Sequence, residues 1–413
     1  MIDILIKQTK KNPDKTIIVF KNRFISYKKF NYMVNNAMPN IIQNDSNYIG
    51  IQIKNKLKLL VAIIAINRLG KIPVLYPSNE NINSYIKSTK IPIDNKDSNL
   101  LIDCAKNEQK DLSYKKNNIQ TILFTSGSTG IPKACQLSFE NLYQSSLIWH
   151  DIIKFKKDDI YLNHMPLTHV SGLCIFFRAL YNNFTMIIDE FNPSNYIQYL
   201  NTNKVTLISM VPYMLKQIIK NNSNINFLYT KAIIISGEFI DNKLMKIIGN
   251  YKIPAYISYG MSETSSGIAG FWANQKYGYK PHKNVNITVN NKKINIESKT
   301  VMLGYLNQEK SNNHYKTNDE GYIDKNGILT IKRRTDDIIN TGGEKFSIKY
   351  TKQLIEEIDE IKNCRIEIIK CTKWGNAIHA HIILKNKISS DKLITKIKGI
   401  LPNYMFPREF YIK

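Results

Sequence analysis

The feature that most restricts this chain is a regular exchange of short apolar runs with longer amphipathic ones. Thr16–Phe20 reads as a strand, and after a turn at Asn22-Arg23 a helix-like stretch begins at Ser26 and runs through Phe30 and Met33. Ile49–Ile53 is a second strand, Leu57–Leu69 a helix with Gly70 just past its end, and Lys71–Leu75 a third strand. Strands joined by such a helical crossover run parallel. Pro73 has no N–H to give a ladder, so its strand is expected to begin late or to lie at an edge. Val205–Val211, Ala232–Ser236 and Ala255–Ser258 repeat the pattern. The texture is that of an α/β protein.

Beyond about Asn290 the βα rhythm gives way to short strand-and-turn pieces: Ile294–Ser298, Gly321–Asp324 and Ile328–Lys332. The charged knot Lys332-Arg333-Arg334-Thr335-Asp336-Asp337, followed by Gly342-Gly343, marks a boundary. The expected organisation is a large N-terminal unit, residues 1–335, of βαβ subdomains plus a β-rich piece. A small α+β unit, residues 336–413, follows it. Hydrophobic residues at 43% and aromatics at 10% exclude a disordered chain. The five cysteines form no CxxC pair, so neither a disulfide framework nor a zinc site is indicated. Met1-Ile2-Asp3-Ile4 lacks the layout of a signal peptide. The longest apolar run, Leu59–Ile66, is far shorter than the roughly 20 residues of a bilayer span.

A net charge of +25, from 58 basic and 33 acidic residues, raises the question of a polyanion partner. Seven of the basic residues are arginine and 51 lysine, and arginine is the residue suited to forked phosphate and guanine contacts. The lysines are mixed with asparagine and isoleucine along the whole chain, as A/T-rich codons would produce. No specific nucleic-acid partner is therefore expected. The same bias fits an organelle-encoded or reduced-bacterial protein, and hence a plastid stroma or a bacterial cytoplasm.

Chemistry concentrates first in Thr125-Ser126-Gly127-Ser128-Thr129-Gly130-Ile131-Pro132-Lys133, directly after the apolar run Ile122-Leu123-Phe124. Two glycines let the backbone turn and present N–H groups to an anion, hydroxyls interleave with them, and a lysine closes the segment. The spacing is not that of the P-loop of nucleotide hydrolases.

This segment resembles the phosphate loop of the adenylate-forming superfamily, which comprises acyl-CoA synthetases, peptide-synthetase adenylation domains and luciferases. Further segments of that pattern follow in order. Tyr259-Gly260-Met261-Ser262-Glu263-Thr264 is similar to the second signature, with serine where threonine is usual. The resemblance implies that Tyr259 stacks on adenine, Ser262 bonds to phosphate and Glu263 holds Mg²⁺. In Tyr315–Tyr322, Asp319 would bond to the ribose hydroxyls, although Asn318 replaces the usual glycine before it. Arg334 would reach ribose and phosphate, Asp336 would be the hinge of a mobile small domain, and Gly343 would be turned toward a pantetheine channel. His169, within Met165–Leu173, would lie against the substrate carboxylate. Gly237, in Ser236-Gly237-Glu238, would lie along adenine and the acyl group.

The resemblance implies ATP, Mg²⁺ and coenzyme A as ligands, with a small carboxylic acid as the acyl donor. Lys133, His169 and Glu263 are the expected catalytic residues. The short length, the His-Val-Ser-Gly-Leu wording and the compact link between Ser266 and Thr300 are most similar to the o-succinylbenzoate–CoA ligases of menaquinone and phylloquinone synthesis. A ligase for another acid and a non-catalytic adenylate-binding descendant are the alternatives. The resemblance also places a lysine, within a Gly-Lys pair, beyond Leu401–Pro407. No such pair occurs in the residues up to Lys413, so the expectation is a small domain that is shortened and a slow first half-reaction.

Overall fold

The computed structural model describes residues 1–41, 45–78, 82–96, 112–125, 131–222, 224–238, 240, 242–275, 278–334 and 338–413, with backbone alone at 95–96, 333–334, 349 and 353. The apolar runs become the strands of two large sheets. In the nine-stranded sheet the inner strands run parallel, in the spatial order Thr16–Phe20, Thr185–Ile188, Ile160–Asn163, Leu207–Met210, Ala232–Ile235, Ala255–Met261. Antiparallel strands close its edges, Arg23–Ser26 on one side and Ser266–Trp272 with Lys280–Pro281 on the other. Ala232–Ile235 is buried throughout, which is why it reads as an unbroken apolar run rather than an alternating one.

The six-stranded sheet has the order Gly304–Tyr305, Lys133–Ser138, Ile119–Thr125, Ile72–Leu75, Tyr48–Gln52, Ile93–Lys96. Its βαβ unit is parallel, as expected, and the crossover helix is Lys56–Arg68. The Asn55 side chain caps that helix by accepting from Lys58 N at 3.1 Å, and Gly70 at φ +73° follows its end. Pro73 does not lie at an edge: its strand begins at Ile72 and stands between two others. Ile72 N and Tyr76 N donate to Asn47 O and Ile51 O, so the Pro73 nitrogen faces the opposite neighbour. That neighbour pairs only at Val74↔Ile122, and no ladder bond is lost.

A four-stranded antiparallel sheet follows: Asn286–Asn290, Lys293–Glu297, His314–Ile323, Leu329–Arg334. Gly321–Asp324 marks only the end of the long strand His314–Ile323. Its inward positions include Thr317 and Asp319, whose polarity hides the alternation from a hydropathy reading. The remaining chain forms the hairpin Ile338–Thr341/Glu344–Ser347, the helices Ile348–Glu356 and Ser390–Ile400, and a sheet of Ile361–Cys371, Gly375–Leu384 and Glu409–Ile412. Phe346, Ile355, Ile382, Leu393 and Ile397 give this part its own core. Among the described residues, no helix is long and apolar enough to cross a membrane.

Candidate active site

The carboxyl ends of the parallel strands open into a cleft of about 370 Å³, the position that ligands take in open α/β sheets. Phe124 and Thr125 come from one sheet, and His164, Val211, Ser236, Gly237, Ser258 and Gly260 from the other. A second cavity of about 570 Å³ continues it, sharing Gly237, Ser258, Gly260, Ile338 and Lys345 and adding Tyr259 and Asp319. Of the expected site residues, Thr125, His169, Gly237, Gly260, Ser262, Glu263 and Gly343 border the first space. Ser126, Gly127, Ser128, Thr129, Gly130 and the hinge position Asp336 lie outside the described residues.

Thr125 and Lys133 face each other across the ladder of Ile119–Thr125 and Lys133–Ser138. The Lys133 ammonium lies 5.1 Å from the centroid of the Tyr305 ring. The Tyr305 hydroxyl donates to Glu263 Oε1 at 2.7 Å and lies 3.1 Å from the Tyr315 hydroxyl. Burial, followed by the Glu263 charge, pushes the Tyr305 phenol far above its ordinary range, so it stays a proton donor. Glu263 is 8% exposed and has no cationic partner among the described residues. Its Oε2, unlike Oε1, takes no hydrogen bond from them, which leaves a hard anionic oxygen of the kind Mg²⁺ prefers.

In the second cavity Tyr259 donates to Asp319 Oδ2 at 2.7 Å. Asp319 is buried, its N–H donates to Thr317 Oγ1 at 3.0 Å, and its backbone pairs with that of Arg334. The Arg334 side chain is outside the described atoms.

His169 stands just before the helix Val170–Asn182, half-exposed, with Nε2 4.0 Å from Glu344 Oε2. Behind the cleft wall formed by Ser266 and Gly267 lies Arg178, 2% exposed. Its Nη2 donates to Ser266 Oγ at 2.7 Å, its guanidinium covers the Trp149 ring at 4.6 Å, and its Nε has no hydrogen-bond partner. No carboxylate pairs with it among the described residues. Sequence reading missed this cation. The signal was a single arginine inside Leu173-Cys174-Ile175-Phe176-Phe177-Arg178-Ala179-Leu180, where burial and therefore a specific partner were to be expected. Burial also depresses His164 to about 4 and His282 to about 3, so both imidazoles are neutral near pH 7. Neither is suited to acid–base work there.

The Gly342–Gly343 turn touches the opposite wall of the cleft. Gly343 N donates to the Glu238 carboxylate, and Asn340 Nδ2 donates to Gly237 O. Trp374, whose carbonyl accepts from Gly342 N at 2.9 Å, stacks on Tyr213 with ring centroids 4.5 Å apart. Burial raises Glu238 to about 7 against the pull of the Gly343 N–H, Lys216 and Lys345.

A lysine and a carboxylate bridged by a tyrosine, a partly buried tyrosine–aspartate pair and a cleft at the strand ends are the parts expected of a nucleotide-activating enzyme. The chain matches the family of AMP-binding enzymes over residues 78–305, more than half its length, and it belongs to that family. Among named relatives, the 2-succinylbenzoate–CoA ligase of Lactococcus lactis is 28% identical over 307 residues, 71% of this chain and 67% of the relative. That of Staphylococcus aureus is 27% identical over 315 residues, 72% of this chain and 64% of the relative. The chain thus matches about two thirds of the length of these ligases. A double mutant of o-succinylbenzoate CoA synthetase from Bacillus subtilis, bound with its product analogue OSB-NCoA, overlays with a TM-score of 0.91 at 22% identity, covering 100% of this chain and 95% of that one. The same synthetase in complex with the acyl-adenylate intermediate OSB-AMP overlays at 0.75. The α/β fold expected from the sequence is the fold of these proteins.

Proposed function

We propose that the chain is an AMP-forming acid–CoA ligase whose acid is 2-succinylbenzoate. The observation that carries the choice of acid is Arg178, a buried guanidinium one side chain behind the cleft wall and without a carboxylate of its own. A substrate with a second carboxylate, besides the one activated, answers that charge. The names of the relatives support the same acid. The composition agrees with a plastid or a reduced bacterium, and the pathway would then be that of menaquinone or phylloquinone.

In the first half-reaction the succinyl carboxylate, held at His169, attacks the α-phosphorus of ATP in line. The bond from that phosphorus to the bridging oxygen breaks, and pyrophosphate leaves past Lys133 and the Thr125–Gly130 segment. Glu263, with Ser262 nearby, would hold Mg²⁺, which when bound would supply neutralisation of the phosphate charge. Tyr259 and the Gly237 and Gly260 backbones take the adenine, and Asp319 and Arg334 take the ribose. Rate enhancement is then positioning and preorganised charge. In the second half-reaction the CoA thiolate attacks the acyl carbonyl and AMP leaves. For this step the unit 336–413 turns about Asp336 and brings Gly343 to the cleft. The closer overlay on the product-analogue complex supports reading the described arrangement as that of the second step.

The test is a panel of carboxylic acids incubated with ATP, Mg²⁺ and CoA and read by mass spectrometry. It includes 2-succinylbenzoate and its ester at the benzoate carboxylate. Thioester from the free diacid and little from the ester is expected. Thioester from an unrelated acid alone refutes the acid assignment, and none from any acid favours the non-catalytic reading. Arg178→Met should raise KM for the diacid about 2- to 13-fold, the value of an ordinary hydrogen bond relayed through Ser266, and leave KM for ATP unchanged.

A further inference from the structure

Lys133 and Glu263 carry opposite charges on the same side of the cleft, yet among the described residues they do not pair with each other. Tyr305 stands between them. It belongs to the two-residue strand Gly304–Tyr305, where it lies opposite Cys135. Lys133 is two residues before Cys135, and residues two apart on a strand share a face. Tyr305 is therefore the diagonal neighbour of Lys133, and its ring receives the ammonium at 5.1 Å. Leu306 N, donating to Ala134 O at 2.8 Å, fixes the register.

The hydroxyl of the same residue is committed in the other direction. An ionised carboxylate only accepts, so the single phenolic proton goes to Glu263 Oε1 at 2.7 Å. The 3.1 Å contact between Tyr305 and Tyr315 must then run from the Tyr315 proton to the Tyr305 oxygen. Tyr315 lies on the strand that also carries Asp319, so this chain of bonds reaches from the ribose side to the metal side.

We infer that Tyr305 is a positioning residue for phosphate transfer: its ring seats Lys133 and its hydroxyl holds Glu263, so that the two charges meet ATP and Mg²⁺ rather than each other. The inference rests on the adenylation reading above. Without the ring the ammonium is free to swing to the carboxylate, and each would neutralise the group the other should bind.

The experiment measures by calorimetry the affinity of a non-hydrolysable ATP analogue with Mg²⁺ and with EDTA, and takes the ratio as the gain from the metal. Tyr305→Phe keeps the ring and loses the hydroxyl, and should reduce that gain about tenfold, as expected for a lost hydrogen bond to a charge. Tyr305→Leu should in addition weaken binding in EDTA relative to Tyr305→Phe, because Lys133 loses its seat. Glu263→Gln is measured beside them. If Glu263→Gln lowers the gain and Tyr305→Phe does not, the positioning role is overturned and the adenylation reading stands. If Glu263→Gln leaves the gain intact, the metal assignment fails and the role of Tyr305 fails with it. Should Tyr305→Phe not fold, Tyr315→Phe removes the bond donated to Tyr305 and leaves the bond from Tyr305 to Glu263 in place. A gain reduced about twofold or more supports the inference, and an unchanged gain overturns it.

Discussion

On the two-step reading proposed above, replacing Gly343 by alanine should separate the half-reactions on physical grounds. Gly343 sits at φ +94°, a region that side chains with a Cβ rarely enter. A Cβ built there falls 2.8 Å from Val211 Cγ1, closer than such carbon atoms approach, and 3.2 Å from Cγ2, a tight contact. The backbone conformation costs about 1–2 kcal/mol for a residue with a Cβ, and the overlap about 1–3 kcal/mol of the kind seen on overpacking. Together these destabilise the arrangement with the turn against Val211 by about 2–5 kcal/mol, or on the order of 30- to 5,000-fold in population. Only the step that uses this arrangement should suffer. Transfer from a synthetic acyl-adenylate to CoA is expected to fall by that factor, while acid-dependent ATP–pyrophosphate exchange, which on that reading uses another arrangement, should fall far less. Adding Val211→Ala removes the methyls and should recover the overlap part, about 5- to 150-fold, while the backbone part remains. Equal loss in both half-reactions, or an undiminished CoA step, would refute the reasoning.

Two further outcomes follow from buried charge. Glu238 is raised to about 7 from an ordinary 4.5, so the folded protein holds a proton there that the unfolded chain has lost, and stability falls as pH rises through that window. Glu238→Gln keeps an oxygen for the Gly343 N–H without the charge. It should raise the melting temperature at pH 8 by the equivalent of about 1–3 kcal/mol after allowance for partial exposure, and do little at pH 5; an equal gain at both pH values contradicts the assignment. The Arg68 guanidinium, bonded through Nε to Asp3 Oδ2 at 2.9 Å and through Nη2 to Asn31 Oδ1 at 2.8 Å, ties the N-terminus to the crossover helix. Arg68→Met leaves Asp3 buried without its cation and should cost about 3–5 kcal/mol in denaturant unfolding; a loss under about 1 kcal/mol would show that Asp3 is not held by this pair.

Local sequence determined the parts that depend on neighbours along the chain. The run Ile49–Leu75 specifies strand, helix and strand because periodicity, an N-cap asparagine and a glycine stop all lie within a few residues of what they control. The motifs at Tyr259–Thr264 and around Asp319 are contiguous because each lies within, or just past the end of, a single strand, Ala255–Met261 and His314–Ile323. Tertiary structure decided what required two distant segments to face one another. Tyr305 occupies a strand of two residues with no periodicity to read, and its meaning comes from Lys133 on one side and Glu263 on the other. Tyr259 and Asp319 were each legible as expected site residues, but the bond between them, across 60 positions, was not. Arg178 could be seen to need burial, though not that Ser266 and an open cleft wait beside it. The contact of Glu238 with Gly343 joins residues 105 positions apart, and it exists only because the C-terminal unit lies against the ends of the parallel strands. Periodicity records which side of an element is dry; which polar atom meets which is set by how the elements pack.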